Sequence, residues 1–376
     1  MRPKPKIILL IIAITVSITV YFIIQNQYNK EKDPIKIGLF VTLTGVYPDL
    51  GRQIRDGALH AIDEINSMGG INGRQVRLII RDNGYNYRRA IENMEALVQE
   101  GVVALIGPAT SSQAMNLLPI VNEQRIVTIS PTASSSLLIG KDDNLIRIRQ
   151  SNKDDARLLG EYAKRLGVKK IIVVYDNSNL IYANDFINNF KETFSVSSNL
   201  YYIPFDPPVA RFTKMARDVF SFKSDAVLII AETYTTALLI QKIRSLNKDI
   251  IIFTSPWAKS QKLIEHAGQH SLGLITVDSV DDLFKGESYQ RYRRSFFDRF
   301  GYYPGFGADT GYETIFVIKK AIESNPNPQK LKDTIIKIGE FEGLQGRFKI
   351  DKYGDAIRQP FILKVKNNSF HRVDNH

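Results

Sequence analysis

The sequence predicts an α/β protein of two doubly wound lobes, each a parallel sheet covered by helices, joined by a hinge and preceded by one N-terminal transmembrane helix. Three observations predict it. Short runs rich in β-branched residues alternate with amphipathic helical patterns from residue 35 onwards. The alternation begins again near Asn152, and 376 residues suffice for about two domains.

The first lobe opens with the strand IKIGLFVTL. A helix follows from about Gly51 to Met68, with apolar residues at three- and four-residue steps. We expect Gly69 and Gly70 to end that helix, because glycine readily takes the positive φ found at helix C-termini. The strand QVRLIIRDN comes next, and two helix–strand pairs follow it, RRAIENMEALVQEG with VVALIGP and SSQAMNLLPIVNEQ with IVTISPT. This order favours a parallel sheet with helices on both faces.

The second lobe repeats the pattern. The helix DDARLLGEYAKRLG and the strand KKIIVVYDN are followed by two helices, the strand DAVLIIAE, the helix TTALLIQKIRSL and the strand DIIIFTSP. From Gly273 come a strand-like run, two further helices and a turn-rich β segment. We assign residues 35–151 and 277–340 to the first lobe, and residues 152–276 and 341–376 to the second.

The N-terminal segment lies outside the predicted lobes. Three basic residues precede an uncharged apolar run over residues 7–24, which as a helix would span roughly 27 Å, close to the hydrocarbon thickness of a bilayer. No small-residue cleavage site follows the run. We therefore predict a signal anchor over residues 1–25 and a polar tether over 26–34. The remaining chain would lie outside the cytoplasm at the cell envelope. A cleaved, secreted form is the alternative.

Composition and motifs argue against several classes of protein. The chain has no cysteine, which rules out disulfides, thiolate metal sites and a cysteine nucleophile. Its net charge of +11 comes from scattered Lys and Arg, and the predicted location makes nucleic acid an unexpected partner. The sequence holds no P-loop, GxSxG or HExxH motif, and Gly268 interrupts the helix that a metal pair of His266 and His270 would need. We expect no enzyme, no cofactor and no metal site.

A specific resemblance rests on seven segments in order. They are VTLTGVYPDLGRQIRDGALHAIDEINSMGGINGRQVRLIIRDN, LVQEGVVALIGPATSSQA, IVTISPTASSSLL, VYDNSNLIYANDF, RFTKMARDVFSFKSDAVLI, FTSPWAKSQKLIEHAG and FEGLQGRFKIDKYGD. Together they resemble type I periplasmic solute-binding proteins, in particular the leucine/isoleucine/valine-binding branch. The resemblance covers residues 35–370, and it implies a ligand cleft between two hinged lobes.

The resemblance implies four ligand contacts in the first lobe. The Ser111 hydroxyl would donate to an anionic group, and Ser112 would add a backbone N–H at a helix N-terminus, where unpaired amides favour negative charge. The Thr132 carbonyl and the hydroxyl and amide of Ser134 would take the rest of a polar head group. The alternative for Ser111 is that it only caps the helix beginning near Gln113.

Four further candidates lie in the second lobe. By resemblance, Tyr182 would close over the ligand, and Tyr234 is the aromatic residue after the next strand. Trp257 stands where amino-acid binders of this family commonly have a Glu that pairs with the ligand ammonium. A Trp cannot supply that charge, although its ring can stack on an aromatic group or hold a cation. Glu232 would replace the missing carboxylate only if it points inward, and Trp257 as a plain core residue is the other interpretation.

The implied function is a receptor outside the cytoplasm. It would close on a small polar ligand, an amino acid or a related carboxylate or amide, an aromatic one included, and deliver it to the permease and ATPase subunits of an ABC importer. Sensing through a separate signalling partner is the alternative, and a scaffold that has lost ligand binding is a third. The membrane would be a partner only through the N-terminal helix.

Overall fold

The protein is described by a computed structural model that covers residues 33–45, 48–124, 126–194, 200–207 and 211–373. The predicted anchor, and the predicted tether up to residue 32, lie outside the described residues. Within the ranges given, no helix combines the length and the apolar character that crossing a membrane requires.

The first sheet has five parallel strands in the order β2-β1-β3-β4-β5. The central strand β1 is apolar because both of its faces are covered, with Ile37 and Leu39 in one core cluster and Phe40 in another. The strands are β1 Ile35–Val41, β2 Val76–Asp82, β3 Ala104–Ile106, β4 Thr128–Ser130 and β5 Leu145–Arg147, and the helices between them are α1 Pro48–Ser67, α2 Tyr87–Gln99 and α3 Ser111–Glu123.

The turn from α1 to β2 is tight for a local reason. Gly69, Gly70 and Gly73 all have positive φ, and a Cβ on Gly70 would lie 2.0 Å from the Arg74 carbonyl oxygen. The Asn66 side chain then fastens the helix end to the strand. It donates to the Val76 carbonyl at 2.9 Å and accepts from the Val76 amide at 2.7 Å.

The second sheet has seven strands in the order β15-β14-β10-β9-β8-β6-β7, with β14 and β15 antiparallel. Its strands are β6 Ile171–Asp176, β7 Leu200–Phe205, β8 Ala226–Ile230, β9 Ile251–Thr254, β10 Ile275–Asp278, β14 Phe361–Lys366 and β15 Ser369–Arg372. Its helices are α4 Asn152–Arg165, α5 Leu180–Phe194, α6 Phe212–Ser221, α7 Thr233–Leu246 and α8 Gln261–Ala267. These two helix-covered sheets confirm the predicted α/β class with parallel sheets.

Three later helices and a small sheet return to the first lobe. They are α9 Glu287–Phe300, α10 Phe306–Ser324, α11 Leu331–Ile338, and the antiparallel strands β11 Glu340–Gly343, β12 Gly346–Ile350 and β13 Ala356–Ile357. Helix α10 lies directly on α1, because Gly57 and Gly311 leave room for the opposing backbone. A Cβ on Gly57 would lie 2.0 Å from the Ala308 carbonyl oxygen.

The packing differs from the predicted lobe division in two places. Phe341, Phe348 and Ile350, which the sequence assigned to the second lobe, belong to the same core cluster as β1. All of β10 lies in the second sheet, although its last two residues were assigned to the first. The local sequence of an antiparallel β segment does not indicate which lobe the segment will pack against. We therefore propose that the chain passes between lobes after β5, after β10 and before β14.

Candidate ligand-binding site

One cavity lies where the two lobes meet. The volume of free space in it is about 20 Å³, roughly enough for one water molecule. The strand-end loops of both sheets and the first residues of α1 and α10 surround it, as expected for a site at the C-terminal edges of parallel strands. The lining residues are Leu50, Ala109, Thr110, Ser111, Thr132, Ser134, Arg149, Asn179, Tyr182, Pro256, Trp257 and Phe306.

The loop after β3 supplies Ser111 at the start of α3. Thr110, rather than Ser111, caps the helix, and its side chain accepts from the Gln113 amide at 3.3 Å. The Ser111 hydroxyl oxygen accepts from the amides of Ser134 and Ser135 at 3.2 and 3.1 Å. Because the oxygen accepts these bonds, the hydroxyl hydrogen can serve a ligand in the cavity.

The loop after β4 is bonded to the loop after β3. The Thr132 hydroxyl donates to the Ala109 carbonyl at 2.6 Å, and the Ser130 hydroxyl donates to the Pro108 carbonyl at 2.6 Å. Thr132 and Ser134 are both buried and both line the cavity. The first lobe thus presents a cradle of hydroxyls and amides that is held in place before any ligand arrives.

Aromatic side chains form the opposite wall. The rings of Tyr182 and Trp257 meet edge to face, with their centroids 5.8 Å apart, and Phe306 from α10 completes the wall. Burial raises the pKa of Tyr182, although the Ser255 hydroxyl opposes the shift, so the phenol stays neutral. Trp257 belongs to the second-lobe core cluster and also lines the cavity, and its contact with a ligand stays a prediction.

Three predicted contacts lie elsewhere. The Ser112 amide donates to the Asn179 side chain at 3.1 Å, and its hydroxyl accepts from the Ile181 amide at 3.2 Å. Ser112 therefore joins the lobes beside the cavity. Glu232 caps α7 and accepts from the amides of Tyr234 and Thr235 at 2.8 and 2.6 Å, while burial raises its pKa.

The Glu232 carboxylate thus accepts hydrogen bonds at the end of its own helix, and Glu232 is not among the residues that line the central cavity. Glu232 and Tyr234 line a separate groove together with Arg52 and Arg55. The structure does not bring Ser112, Glu232 and Tyr234 to the central cavity. Their predicted contacts with a ligand remain predictions.

Several lining residues escaped the sequence reasoning. Leu50 and Phe306 stand at or near the beginning of helices from distant parts of the chain, and no local pattern indicates which helix ends face the cleft. Asn179 follows β6 in a short turn. Arg149 had a usable signal, because a charged residue in the apolar run LIRIR requires a buried partner.

A cluster of buried charges lies behind Arg149. Its guanidinium donates to Asp278 and to Asp155, and Lys259 pairs with Asp278 at 3.3 Å and with Asp282 at 2.7 Å. Burial raises the pKa of Asp155 to about 6, although Arg149 opposes the shift. Burial would also raise the pKa of Asp278, but Arg149 and Lys259 outweigh it and hold that pKa below its ordinary value. The cluster fixes the Arg149 head group at the edge of the cavity.

Two curated proteins are similar to part of the chain. The chain is 30% identical over 153 residues to a leucine-, isoleucine-, valine-, threonine- and alanine-binding protein of Pseudomonas aeruginosa, covering 40% of this chain and 41% of the relative. It is 29% identical to a Leu/Ile/Val-binding protein of Rhizobium johnstonii, covering 42% and 43%. The matches thus span about two fifths of the length of these curated relatives.

Solved structures share the fold over nearly the whole chain. A leucine-binding protein of Thermotoga maritima has a TM-score of 0.80 at 24% identity, covering 90% of this chain and 98% of that one. A solute-binding protein of an ABC transporter from R. palustris, in complex with benzoate, has a TM-score of 0.81 at 21% identity, covering 90% and 95%. A family model described as periplasmic binding protein matches residues 34–369. The chain therefore belongs to the periplasmic binding protein family, in its type I leucine/isoleucine/valine-binding branch.

Proposed function

We propose that this chain is a solute receptor that closes on a small carboxylate with an aromatic or apolar body and delivers it to the permease and ATPase of an ABC importer. The observation that carries the proposal is the make-up of the cavity wall. Hydroxyls and amides face three aromatic rings, and no Asp or Glu is among the lining residues that the structure describes.

The polar side of the cavity suits a carboxylate. The start of α3 places the positive end of a helix dipole beside the cavity, and Ser111 can donate its hydroxyl hydrogen. An α-ammonium group finds no carboxylate among the described lining residues, which leaves it only ring faces and neutral oxygens as partners. Trp257 occupies the place that resemblance would give to the ammonium-binding Glu. A ligand that keeps the carboxylate of an amino acid and lacks its ammonium fits this wall better than leucine does.

Binding requires the lobes to separate. A free volume of about 20 Å³ is too small for an amino acid or for benzoate, so we propose that a ligand enters an open form and is enclosed by closure, as in hinged receptors. Hydrogen bonds already join the lobes beside the cavity, from Ser112 to Asn179 and from Ser136 to Asp185. Ligand contacts to both walls would add to them.

The solved relatives include a leucine-binding protein and proteins in complex with isoleucine, benzoate and 3,4-dihydroxybenzoic acid. Both ligand classes therefore occur on this fold, and the residues of the cavity have to decide between them. Sensing through a separate partner would use the same closure. Neighbouring genes for a permease and an ATPase, rather than for a kinase or cyclase, would favour delivery.

Thermal unfolding with matched ligand pairs tests the proposal. Isocaproate is leucine without its ammonium, and hydrocinnamate is phenylalanine without it. We expect hydrocinnamate and benzoate to stabilise the protein, by about 2.7 kcal/mol at one hundred times Kd, and the parent amino acids to stabilise it far less.

Substitutions locate the effect. Trp257→Ala should weaken hydrocinnamate binding by roughly tenfold or more, and Trp257→Phe should retain most of the binding. Tyr202→Ala, at an exposed position on β7 outside the cavity, should change nothing. Stronger stabilisation by leucine than by isocaproate would contradict the proposal.

A further inference from the structure

Arg149 occupies an unusual place between the lobes. It follows β5, where the chain passes from the first lobe to the second, and its residue surface is 4% exposed. It lines the ligand cavity. It is also the only lining residue with a formal charge among those that the structure describes. The resemblance gave this position no role.

Residues from three different elements hold the guanidinium, and two of the three lie more than one hundred residues away in the chain. Asp155 comes from α4 and accepts from the Arg149 Nη2 atom at 3.2 Å, and Asp278 comes from the end of β10 and accepts from Nη1. The ring of Phe306, from α10, lies with its centroid 5.6 Å from the guanidinium carbon. A buried cation costs several kcal/mol unless it is paired, and here two carboxylates and an aromatic face stabilise it. The head group therefore has a preset orientation.

The head group of this lining residue can only donate hydrogen bonds. A guanidinium has five N–H groups and no acceptor, and the bonds to Asp155 and Asp278 use two of them. Both carboxylates are themselves fully buried, with side-chain exposures of 0%, and neither lines the cavity. An ammonium group would therefore meet only N–H donors on this side and could not reach the acidic residues behind them.

We propose that Arg149 determines the charge of the ligand that this receptor accepts. Its guanidinium donates to an anionic oxygen of the bound solute, and it excludes an ammonium from the same place. The proposal rests on the proposed function, and it adds the residue and the contact that set the specificity. A bidentate guanidinium–carboxylate pair is stronger and more directional than a hydroxyl contact, so this contact can outweigh the Ser111 cradle in the choice of ligand.

Benzoate and benzamide provide the test, because they share a shape and differ in charge. The unmodified protein should bind benzoate at least tenfold more tightly than benzamide in isothermal titration calorimetry. Removing Arg149 alone leaves the buried Asp155 without an ion-pair partner and Asp278 with Lys259 alone, which risks unfolding, so the test variant is Arg149→Gln combined with Asp155→Asn. In this variant the affinity ratio should fall to within about threefold of one, mainly through weaker benzoate binding.

A second variant keeps the charge. Arg149→Lys retains the cation and loses the planar fork, and it should lower benzoate affinity by roughly tenfold with little effect on benzamide. If the double variant does not fold, the benzoate and benzamide affinities of Arg149→Lys test the role of Arg149 instead.

The matched control is Arg147→Gln combined with Asp355→Asn. Arg147 is also buried and paired. It lies two residues earlier, as the last residue of β5, and it does not line the cavity. Its replacement should leave the ratio unchanged.

The outcomes separate the two proposals. If the unmodified protein prefers benzoate and a folded Arg149 variant keeps the full preference, the role of Arg149 is overturned and the proposed function stands. If the unmodified protein binds none of the carboxylates benzoate, hydrocinnamate and isocaproate, the proposed function fails, and the role of Arg149 fails with it.

Discussion

The Ser111 hydroxyl oxygen accepts hydrogen bonds from two backbone amides, those of Ser134 and Ser135. The hydroxyl thus fixes the second loop of the cradle against the first. A serine in a loop after a strand has many ordinary uses, and only the meeting of these two loops gives this one its role. Ser111 therefore holds the two loops together and also presents its hydroxyl hydrogen to a ligand.

Ser111→Ala should weaken both stability and binding. The variant leaves two buried amides without an acceptor, at a cost of about 1–3 kcal/mol in the free energy of unfolding, and it removes a donor to the ligand carboxylate. We expect a lower Tm and roughly tenfold weaker hydrocinnamate binding by calorimetry. Ser245→Ala, an exposed serine on α7, is the control and should change neither quantity. An unchanged Kd would show that the hydroxyl does not touch the ligand.

Asp309 should make the stability of the folded protein depend on pH. Its carboxylate accepts from the Tyr292 hydroxyl at 2.9 Å inside the first lobe, and burial raises its pKa to about 7, although Lys259 opposes the shift. The folded protein therefore holds this proton more tightly than the unfolded chain, whose carboxyl titrates near 3.8. Its contribution to stability is greatest at low pH and is lost as pH rises from about 4 through about 7.

Asp309→Asn should remove most of that loss. The neutral amide keeps an oxygen for Tyr292, so we expect the variant to be more stable than the parent at pH 8, by roughly 2–4 °C in Tm, and about equal to it at pH 5. Melting curves at the two pH values measure this difference. Asp298→Asn, at an exposed position, should not alter the pH dependence. A variant that is less stable at pH 8 would contradict the prediction.

At the scale of elements, α1 illustrates what local patterns provide. The apolar spacing and the paired glycines predicted a helix from about Gly51 to Met68, and the structure has Pro48–Ser67. The spacing also predicted the buried face. It could not indicate that α10, more than two hundred residues later, lies on that face, because nothing in a local pattern names a partner.

The contact of α1 with α10 yields a packing prediction. Gly57 has no strained φ, but a Cβ there would lie 2.0 Å from a backbone oxygen, which cannot rotate away as a side chain would. Gly57→Ala should therefore push the helices apart and lower the free energy of unfolding by about 1–3 kcal/mol, despite the better helix propensity of alanine.

Chemical denaturation measures this change. Met68→Ala, an exposed position just beyond the end of the same helix, is the control and should have little effect. A stabilised Gly57→Ala variant would mean that the two helices are not in close contact in solution.

At the scale of the whole molecule, direct contacts between the lobes define the closed arrangement. Asp185 on α5 accepts from the Ser135 hydroxyl at 3.0 Å and from the Ser136 amide at 2.6 Å, both in the first lobe. On another side of the cavity, Lys262 pairs with Asp49 at 2.9 Å. The Asp185 contact is buried and should resist salt, whereas the partly exposed ion pair should be screened.

Asp185→Ala should therefore shift the ligand-free protein towards an open form. Losing charged hydrogen bonds of about 1.5–3 kcal/mol each changes the closed-to-open ratio by roughly tenfold or more. Small-angle scattering should show a larger radius of gyration, which decreases again when hydrocinnamate is added. Asp154→Ala, exposed at the start of α4, is the control. An unchanged radius in the Asp185 variant would show that this contact does not govern closure.

The structure brings some of the predicted site residues to one cavity and leaves others away from it, and particular residues show why. Ser111, Thr132, Ser134, Tyr182 and Trp257 all line the cavity, because strand-end loops of a doubly wound fold meet at one edge. Glu232 follows a strand as predicted, but its carboxylate accepts hydrogen bonds at the N-terminus of its own helix. The unpaired amides of that helix end are the nearest donors, and they decide the direction of the side chain.

The sequence by itself determined the alternation of strands and helices, the glycine turn at residues 69–73 and the loops that carry the hydroxyls, because hydrophobic period, propensity and backbone freedom act over a few neighbouring residues. Only the tertiary structure decided that Arg149, Phe306 and Leu50 share one wall, and that Asp155 and Asp278 hold the guanidinium. Contacts between residues so distant in the chain arise when two cores fold against each other, and the sequence carries no local trace of them.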